Sequence, residues 1–181
     1  MSFATTVHRD RQPSKAITGS LPPRRATAEP VWGDVLGRFA AAALRLRPVR
    51  ICLVSPWLTD TDHGRLRLLA RHADAQRAEL VAVIRAPSTR AGEQALETVR
   101  SARSHRILVS DTLHAKMYIC QELDGRGVAL VGSANMTAGG ARLAEAGVLL
   151  RPLAESSLID DLIRVALTQL GAQPLVIRRS R

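Results

Sequence analysis

A regular alternation of short apolar runs and amphipathic segments constrains the fold of this chain most strongly. The apolar runs are rich in β-branched residues and have the length of buried strands, whereas the segments between them carry apolar residues at helical spacing. The strands are predicted at 49–54, 79–85 and 105–110, and the helices between them at about 63–75 and 91–102. Strands that alternate with helices are typical of parallel sheets. We therefore predict an α/β domain with a mixed, largely parallel sheet flanked by helices.

The two ends of the chain have different patterns. Residues 1–29 are rich in Arg, Ser, Thr and Pro, which indicates a flexible basic arm in front of a domain over 30–181. Helical spacing from Val31 to Leu44 predicts that the domain opens with a helix. A further helix is predicted over 156–170, with Ser156 as its N-cap.

A second type of pattern begins after the third predicted strand. In "LHAKMYIC" (113–120) every second residue is apolar, and His114 and Lys116 stand between them. Alternate side chains of a strand lie on one face, so the imidazole and the ammonium would be about 6.6 Å apart on the same face. Two basic groups at this separation can both reach one small anion. We take the pair as the candidate anion site.

The pair is predicted to lie on an antiparallel hairpin. The turn residues of "QELDGRG" separate it from "VALVGSAN", so residues 113–134 should fold back on themselves. Ser133 and Asn135 of the returning segment should then face His114 and Lys116. Gly132 would let a ligand approach the backbone, and a short strand "GVLLR" follows. The turn "SPWLTD", after the first predicted strand, contributes Ser55 and Trp57 as secondary candidates for lining a cleft.

The net charge of the chain indicates which class of molecule it binds. The formal net charge is +10, and nearly all of the positive charge is arginine, since only Lys15 and Lys116 are lysine. Guanidinium groups suit phosphate-rich partners, so nucleic acid is expected, DNA before RNA. The arginines could equally be solvated helix faces. Aromatic residues make up only 3% of the chain, which disfavours docking on lipid, and no membrane partner is expected.

The two cysteines, Cys52 and Cys120, fall in predicted strands without the paired spacing of zinc sites. We expect buried free thiols and no metal ion or other cofactor. No stretch has the length and apolarity of a signal peptide or a membrane span, so we expect a cytoplasmic protein.

The residues of the predicted hairpin and its return resemble the signature of the phospholipase D superfamily. In that signature His-x-Lys, an Asp, Gly-Ser-x-Asn and a later Glu follow one another. The matching residues here are His114, Lys116, Gly132, Ser133, Asn135 and Glu145, and Glu145 stands ten residues after Asn135. Gln121 occupies the position of the Asp, and the interval from Lys116 to Gly132 is longer than in the family. The resemblance extends over about residues 31–171 and implies a phospholipase D-like, single-motif domain.

The resemblance implies a phosphodiesterase that needs no metal ion, most simply a nuclease. His114 would attack phosphorus and form a phosphohistidine, and a second histidine would protonate the leaving oxygen and then activate water. Lys116, Ser133 and Asn135 would bind the phosphate oxygens. Glu145 would hold the imidazole of His114 in one tautomer.

The same resemblance implies a partner, because the mechanism needs two histidines and the chain has one motif. We expect a homodimer that places both copies of His114 around one phosphorus. Two alternatives stay open at this point. The chain could be a catalytically weak nucleic-acid-binding subunit of a larger complex, such as a bacterial defence system, or it could be a phospholipid hydrolase or transferase.

Overall fold

The computed structural model describes residues 26–59, 64–137, 145–152 and 156–175. Within these ranges the chain forms one eight-stranded sheet with four α-helices. The strands are β1 (Ala26–Trp32), β2 (Pro48–Val54), β3 (Glu79–Ile84), β4 (His105–Val109), β5 (Met117–Glu122), β6 (Gly127–Gly132), β7 (Ala146–Pro152) and β8 (Gln173–Pro174). The helices are α1 (Val35–Ala43), α2 (Arg65–Gln76), α3 (Arg90–Arg100) and α4 (Leu158–Arg164), and α4 continues as a π-helical turn over Val165–Gln169.

The strand order is β1-β7-β6-β5-β2-β3-β4-β8. The predicted mixed α/β sheet flanked by helices is confirmed, but the expectation that it is largely parallel is wrong. Only the β2–β3 and β3–β4 pairings are parallel, and the other five described pairings are antiparallel. The reason lies in the connections: α2 and α3 link three parallel strands, whereas the second half of the chain adds strands through antiparallel returns.

Both faces of the sheet are covered. On one face α1, α2 and α3 pack over the central strands and bury the larger core cluster, which includes Phe39, Leu69 and Leu96. On the other face α4 and the π-helical turn bury a smaller cluster that includes Ile119, Ile159 and Ala166. The central strands are therefore buried on both sides, which explains their continuous apolar sequences.

The start of the domain differs from the sequence prediction. Val31 and Trp32 end β1 and are not helical, and α1 begins only at Val35. Asp34 sets this start, because its Oδ1 accepts a hydrogen bond from Gly37 N at 3.0 Å and so caps the helix. Residues 26–29, assigned to the arm by the sequence, belong to β1, and residues 1–25 of the predicted arm lie outside the described residues. The division into arm and domain stays a prediction.

The predicted hairpin is present as β5 and β6, which pair from Met117 opposite Val131 to Gln121 opposite Gly127. Gly125 has φ +79° in the turn, a backbone conformation that glycine adopts without strain. Strand β5 begins four residues later than predicted, so residues 113–116 lead into the hairpin without being part of it. The alternation in this segment therefore does not mark a half-exposed strand.

Candidate active site

The candidate residues lie together at one edge of the sheet, where strands end and begin. Strands β1, β2, β3, β4 and β6 end at this edge, and β5 and β7 begin there. Beyond the β5–β6 pairing, Gly132 N donates to Lys116 O at 3.3 Å, so the segments before β5 and after β6 stay side by side. We call this edge, with His114, Lys116, Ser133, Asn135 and Glu145 on it, the site edge.

His114 is exposed and Lys116 is half-buried. Lys116 Nζ donates to His114 O at 3.0 Å, which folds the lysine back along its own segment. In the part of the chain that the structure describes, the His114 imidazole has no hydrogen-bond partner. Arg85 places a second cation near His114. Its Nε donates at 2.7 Å to the carbonyl oxygen of Leu113, the residue before His114.

Two buried hydroxyl groups fix the backbone on either side of Asn135. Tyr118 is 1% exposed, and its hydroxyl donates to Ala134 O at 2.7 Å. Ser55 is fully buried, and its Oγ accepts from Met136 N at 3.2 Å and lies 3.4 Å from Asn135 Oδ1. The amide of Asn135 is therefore held at a defined position although its residue is only half-buried.

The role of Tyr118 was not predicted, because the alternation in residues 113–120 places it on the same face as the two basic residues. Burial raises the pKa of the Tyr118 hydroxyl above its usual range, and the nearby Glu145 charge acts in the same direction. The hydroxyl thus stays protonated and remains a donor. One signal was available in the sequence: Tyr118 is the only tyrosine of the chain and lies within the motif segment.

Glu145 contacts Ser133. The Ser133 hydroxyl donates to the Glu145 carboxylate and accepts from Ala146 N at 3.2 Å. On the other side of Glu145, its carbonyl accepts from Gly33 N at 3.0 Å, which ties it to the end of β1. The carboxylate therefore lies on the site edge between the ends of β6 and β1, bonded to the serine of "GSAN".

Gly132 lies where two neighbouring strands approach each other closely. A Cβ atom at this position would lie 2.5 Å from Ala146 O and 2.9 Å from Gly147 Cα, so the backbone that approaches closely is that of β7. The glycine is thus required for β7 to pair with β6 next to Ser133. The approach of a ligand to the backbone of Gly132 stays a prediction.

Gln121, at the position of the family's Asp, lies at the opposite end of β5 from the site edge. Its side chain is largely buried, and Nε2 donates to Asp160 Oδ1 of α4. An amide on the strand and a carboxylate on the helix here join the sheet to α4. Gln121 is therefore a structural residue and does not enter the site.

Among the residues described, no three His, Cys, Asp or Glu side chains are grouped so that they could hold a metal ion. None of the described helices is both long and apolar enough to cross a membrane.

The architecture is shared with proteins of known structure. Nuc from Salmonella typhimurium, a phospholipase D family member, superposes with a TM-score of 0.66 at 13% identity, over 84% of this chain and 100% of Nuc. NucT from Helicobacter pylori gives 0.58 at 12% identity, over 83% and 100%. The chain has the phospholipase D fold. A phosphatidylserine synthase from Haemophilus influenzae shares it with a TM-score of 0.59 at 14% identity, over 84% of this chain and 41% of the synthase.

The likeness is one of structure. No model of a known protein family matches the sequence, and comparison with the curated proteins gives no match. The phospholipase D fold predicted from the motif residues is confirmed, and the roles of individual site residues stay predictions.

Proposed function

We propose that this protein is a metal-independent phosphodiesterase that cleaves nucleic acid through a phosphohistidine formed on His114. The observation that carries the proposal is the grouping of His114, Lys116, Ser133, Asn135 and Glu145 on one edge of a phospholipase D fold. An exposed neutral imidazole is a competent nucleophile toward phosphorus near neutral pH. Beside it, an ammonium and a carboxamide can neutralise the charge that develops on the non-bridging oxygens.

The reaction has two displacements. A ring nitrogen of His114 bonds to phosphorus while the phosphorus–oxygen bond to the leaving group breaks, and a second histidine gives that oxygen its proton. Water then attacks phosphorus, the phosphorus–nitrogen bond breaks, and the second histidine takes the proton of the water. The products are an alcohol and a phosphomonoester, and His114 is regenerated. Ser133 holds the Glu145 carboxylate on the site edge, and Glu145 is proposed to accept a hydrogen bond from the imidazole only once substrate is bound.

The second histidine is proposed to be His114 of a second copy of the chain. A surface that could hold this copy borders the site edge. Val31, Leu130 and Leu149 belong to the core cluster on the face that carries α1, α2 and α3, so their neighbours Trp32, Val131 and Val148 point to the opposite face of the sheet. These three side chains are 72%, 36% and 38% exposed. We call them the apolar face.

Nucleic acid is favoured as the substrate because of the net charge of +10. Turnover should be measured side by side on DNA, RNA and phosphatidylcholine vesicles. Cleavage of a nucleic acid that persists in excess EDTA and disappears in His114→Ala is the expected result. Cleavage that EDTA abolishes and magnesium restores would overturn the phosphohistidine mechanism. Turnover of the vesicles alone would reassign the substrate.

The dimer is tested separately. Light scattering should give about twice the mass of the 19.6 kDa chain. Val148→Asp should yield an inactive monomer, because a charged side chain on the apolar face opposes burial of that face against a second copy of the chain. Leu123→Asp is the matched control, since Leu123 is 87% exposed in the hairpin turn at the far end of β5. A monomer that still cleaves phosphodiesters would refute the shared site.

A further inference from the structure

Trp57 is an exposed aromatic residue next to the site edge. It follows β2 and is 51% exposed, whereas the aromatic residues Phe39 and Tyr118 are buried and pack together in the core. The guanidinium carbon of Arg85 lies 5.5 Å from the centre of the Trp57 ring, a cation–π distance. Arg85 restrains one part of the indole, and about half of its surface remains open.

The Trp57–Arg85 pair is fixed relative to the candidate active site from two directions. The Nε of Arg85 donates to Leu113 O, and Leu113 directly precedes His114 in the chain. The guanidinium group therefore lies beside the backbone that leads into His114. The buried hydroxyl of Ser55 donates to Trp57 O at 2.6 Å and accepts from the backbone beside Asn135. The pair and the candidate site therefore share the same anchors.

A pocket opens beside the pair. It has a volume of about 120 Å³, and its walls come from the segments after β2 and β3 and from the first turn of α3. Its lining includes Pro56, Trp57, Arg85, Pro87, Thr89 and Gly92. A mostly apolar concavity with a flat aromatic ring and a cation at its border has the composition of a site for a planar, electron-rich group attached to an anion.

We propose that Trp57 and Arg85 form a base subsite, in which the base of the nucleotide next to the scissile phosphate stacks on the indole. The inference rests on the proposed function, because it is the phosphate at His114 that would bring a base to this distance. Arg85 would attract the backbone phosphate while holding the ring in place. Since every base has a π-face, the subsite would recognise nucleic acid without selecting a sequence.

The experiment compares two single strands of equal length and charge, one of normal nucleotides and one of abasic sites. Binding is measured by fluorescence anisotropy in a His114→Ala background, so that neither strand is cut. Trp57→Ala should reduce the preference for the base-bearing strand by about 5- to 150-fold, the range that stacking of one base implies. Trp57→Phe should retain most of the preference, because it keeps an aromatic ring.

Leu123→Ala is the matched control, because Leu123 is 87% exposed in the hairpin turn at the end of β5 away from the site edge. Light scattering and urea midpoints of each variant show that fold and assembly are kept. Equal weakening of both strands by Trp57→Ala, or no change in either, would overturn the base subsite even if the protein cleaves nucleic acid. Conversely, a protein that prefers the base-bearing strand through Trp57 yet cleaves no phosphodiester would refute the proposed function and leave the subsite standing.

Discussion

Replacing Ser55 by alanine tests whether a buried hydroxyl holds the site edge together. Ser55 Oγ donates to Trp57 O at 2.6 Å and accepts from Met136 N at 3.2 Å, and Ser55 and Met136 are both buried. The serine thus joins the segment after β2 to the segment that carries Asn135, through a bond to Met136, which is 81 residues later in the chain. Alanine fits the same space and removes both hydrogen bonds.

The expected loss of stability follows from the groups left without partners. The buried N–H of Met136 loses its acceptor, which costs about 1–3 kcal/mol. The carbonyl of Trp57 loses the hydrogen bond from Ser55. Because Trp57 is an exposed residue that water can reach, this lost bond adds about 1 kcal/mol. Together, Ser55→Ala should lower the free energy of unfolding by roughly 2–4 kcal/mol. With a urea dependence of about 2 kcal/mol per molar, the unfolding midpoint should fall by about 1–2 M.

The assay is urea unfolding followed by circular dichroism, with phosphodiester turnover measured in the absence of urea. Ser101→Ala is the control: the Ser101 hydroxyl donates to Thr98 O at 2.8 Å on an exposed helix end, where water can replace it, so about 0.5 kcal/mol or less should be lost. Turnover by folded Ser55→Ala should also fall, because Asn135 is no longer held. Equal losses for the two serine variants, or full activity of Ser55→Ala, would refute the argument.

Two further predictions concern Gly132 and Glu79. Gly132→Ala should lower both the unfolding midpoint and turnover, because its Cβ would lie 2.5 Å from Ala146 O, and an unchanged midpoint would contradict the close approach of β7. Burial tends to raise the pKa of Glu79, but its bonds to Arg50 and Arg106 outweigh burial and hold that pKa below the ordinary 4.5. A lowered carboxyl pKa stabilises the fold above pH 4.5, so Glu79→Gln should cost about 1 kcal/mol at pH 7. The difference should vanish as the pH falls below 4.5, and a loss independent of pH would show that the ion pairs do not cause it.

The elements with strong periodicity were predictable from the sequence. Strands β2, β3 and β4 and helices α2 and α3 lie within a few residues of their predicted positions, because a buried strand and an amphipathic helix each repeat within the local chain. The hairpin was predictable for the same reason, since its turn residues and its two apolar runs are adjacent. The helix predicted from Val31 failed at its start, because the pairing of β1 with β7 depends on residues more than a hundred positions away.

The features of the candidate site likewise divide into those that could be predicted from the sequence and those that could not. The groups available at the site could be read from the sequence, since their types and spacing are recognisable: His114, Lys116, Ser133, Asn135 and Glu145. One antiparallel return was also predictable, the hairpin between Lys116 and Ser133, whereas the return that brings Glu145 to the same edge is known only from the pairing of β6 with β7.

The contacts that hold the site edge in place, and the residues that border it, depend on how the chain folds in three dimensions. The hydroxyls of Ser55 and Tyr118 meet the backbone beside Asn135, Gly132 makes room for β7, and Trp57 lies against Arg85. Each of these contacts joins segments whose order in the sheet is not encoded in local periodicity. The free energy of such contacts comes from burial and from hydrogen bonds between distant parts of the chain, which exist only once the strands have taken their places.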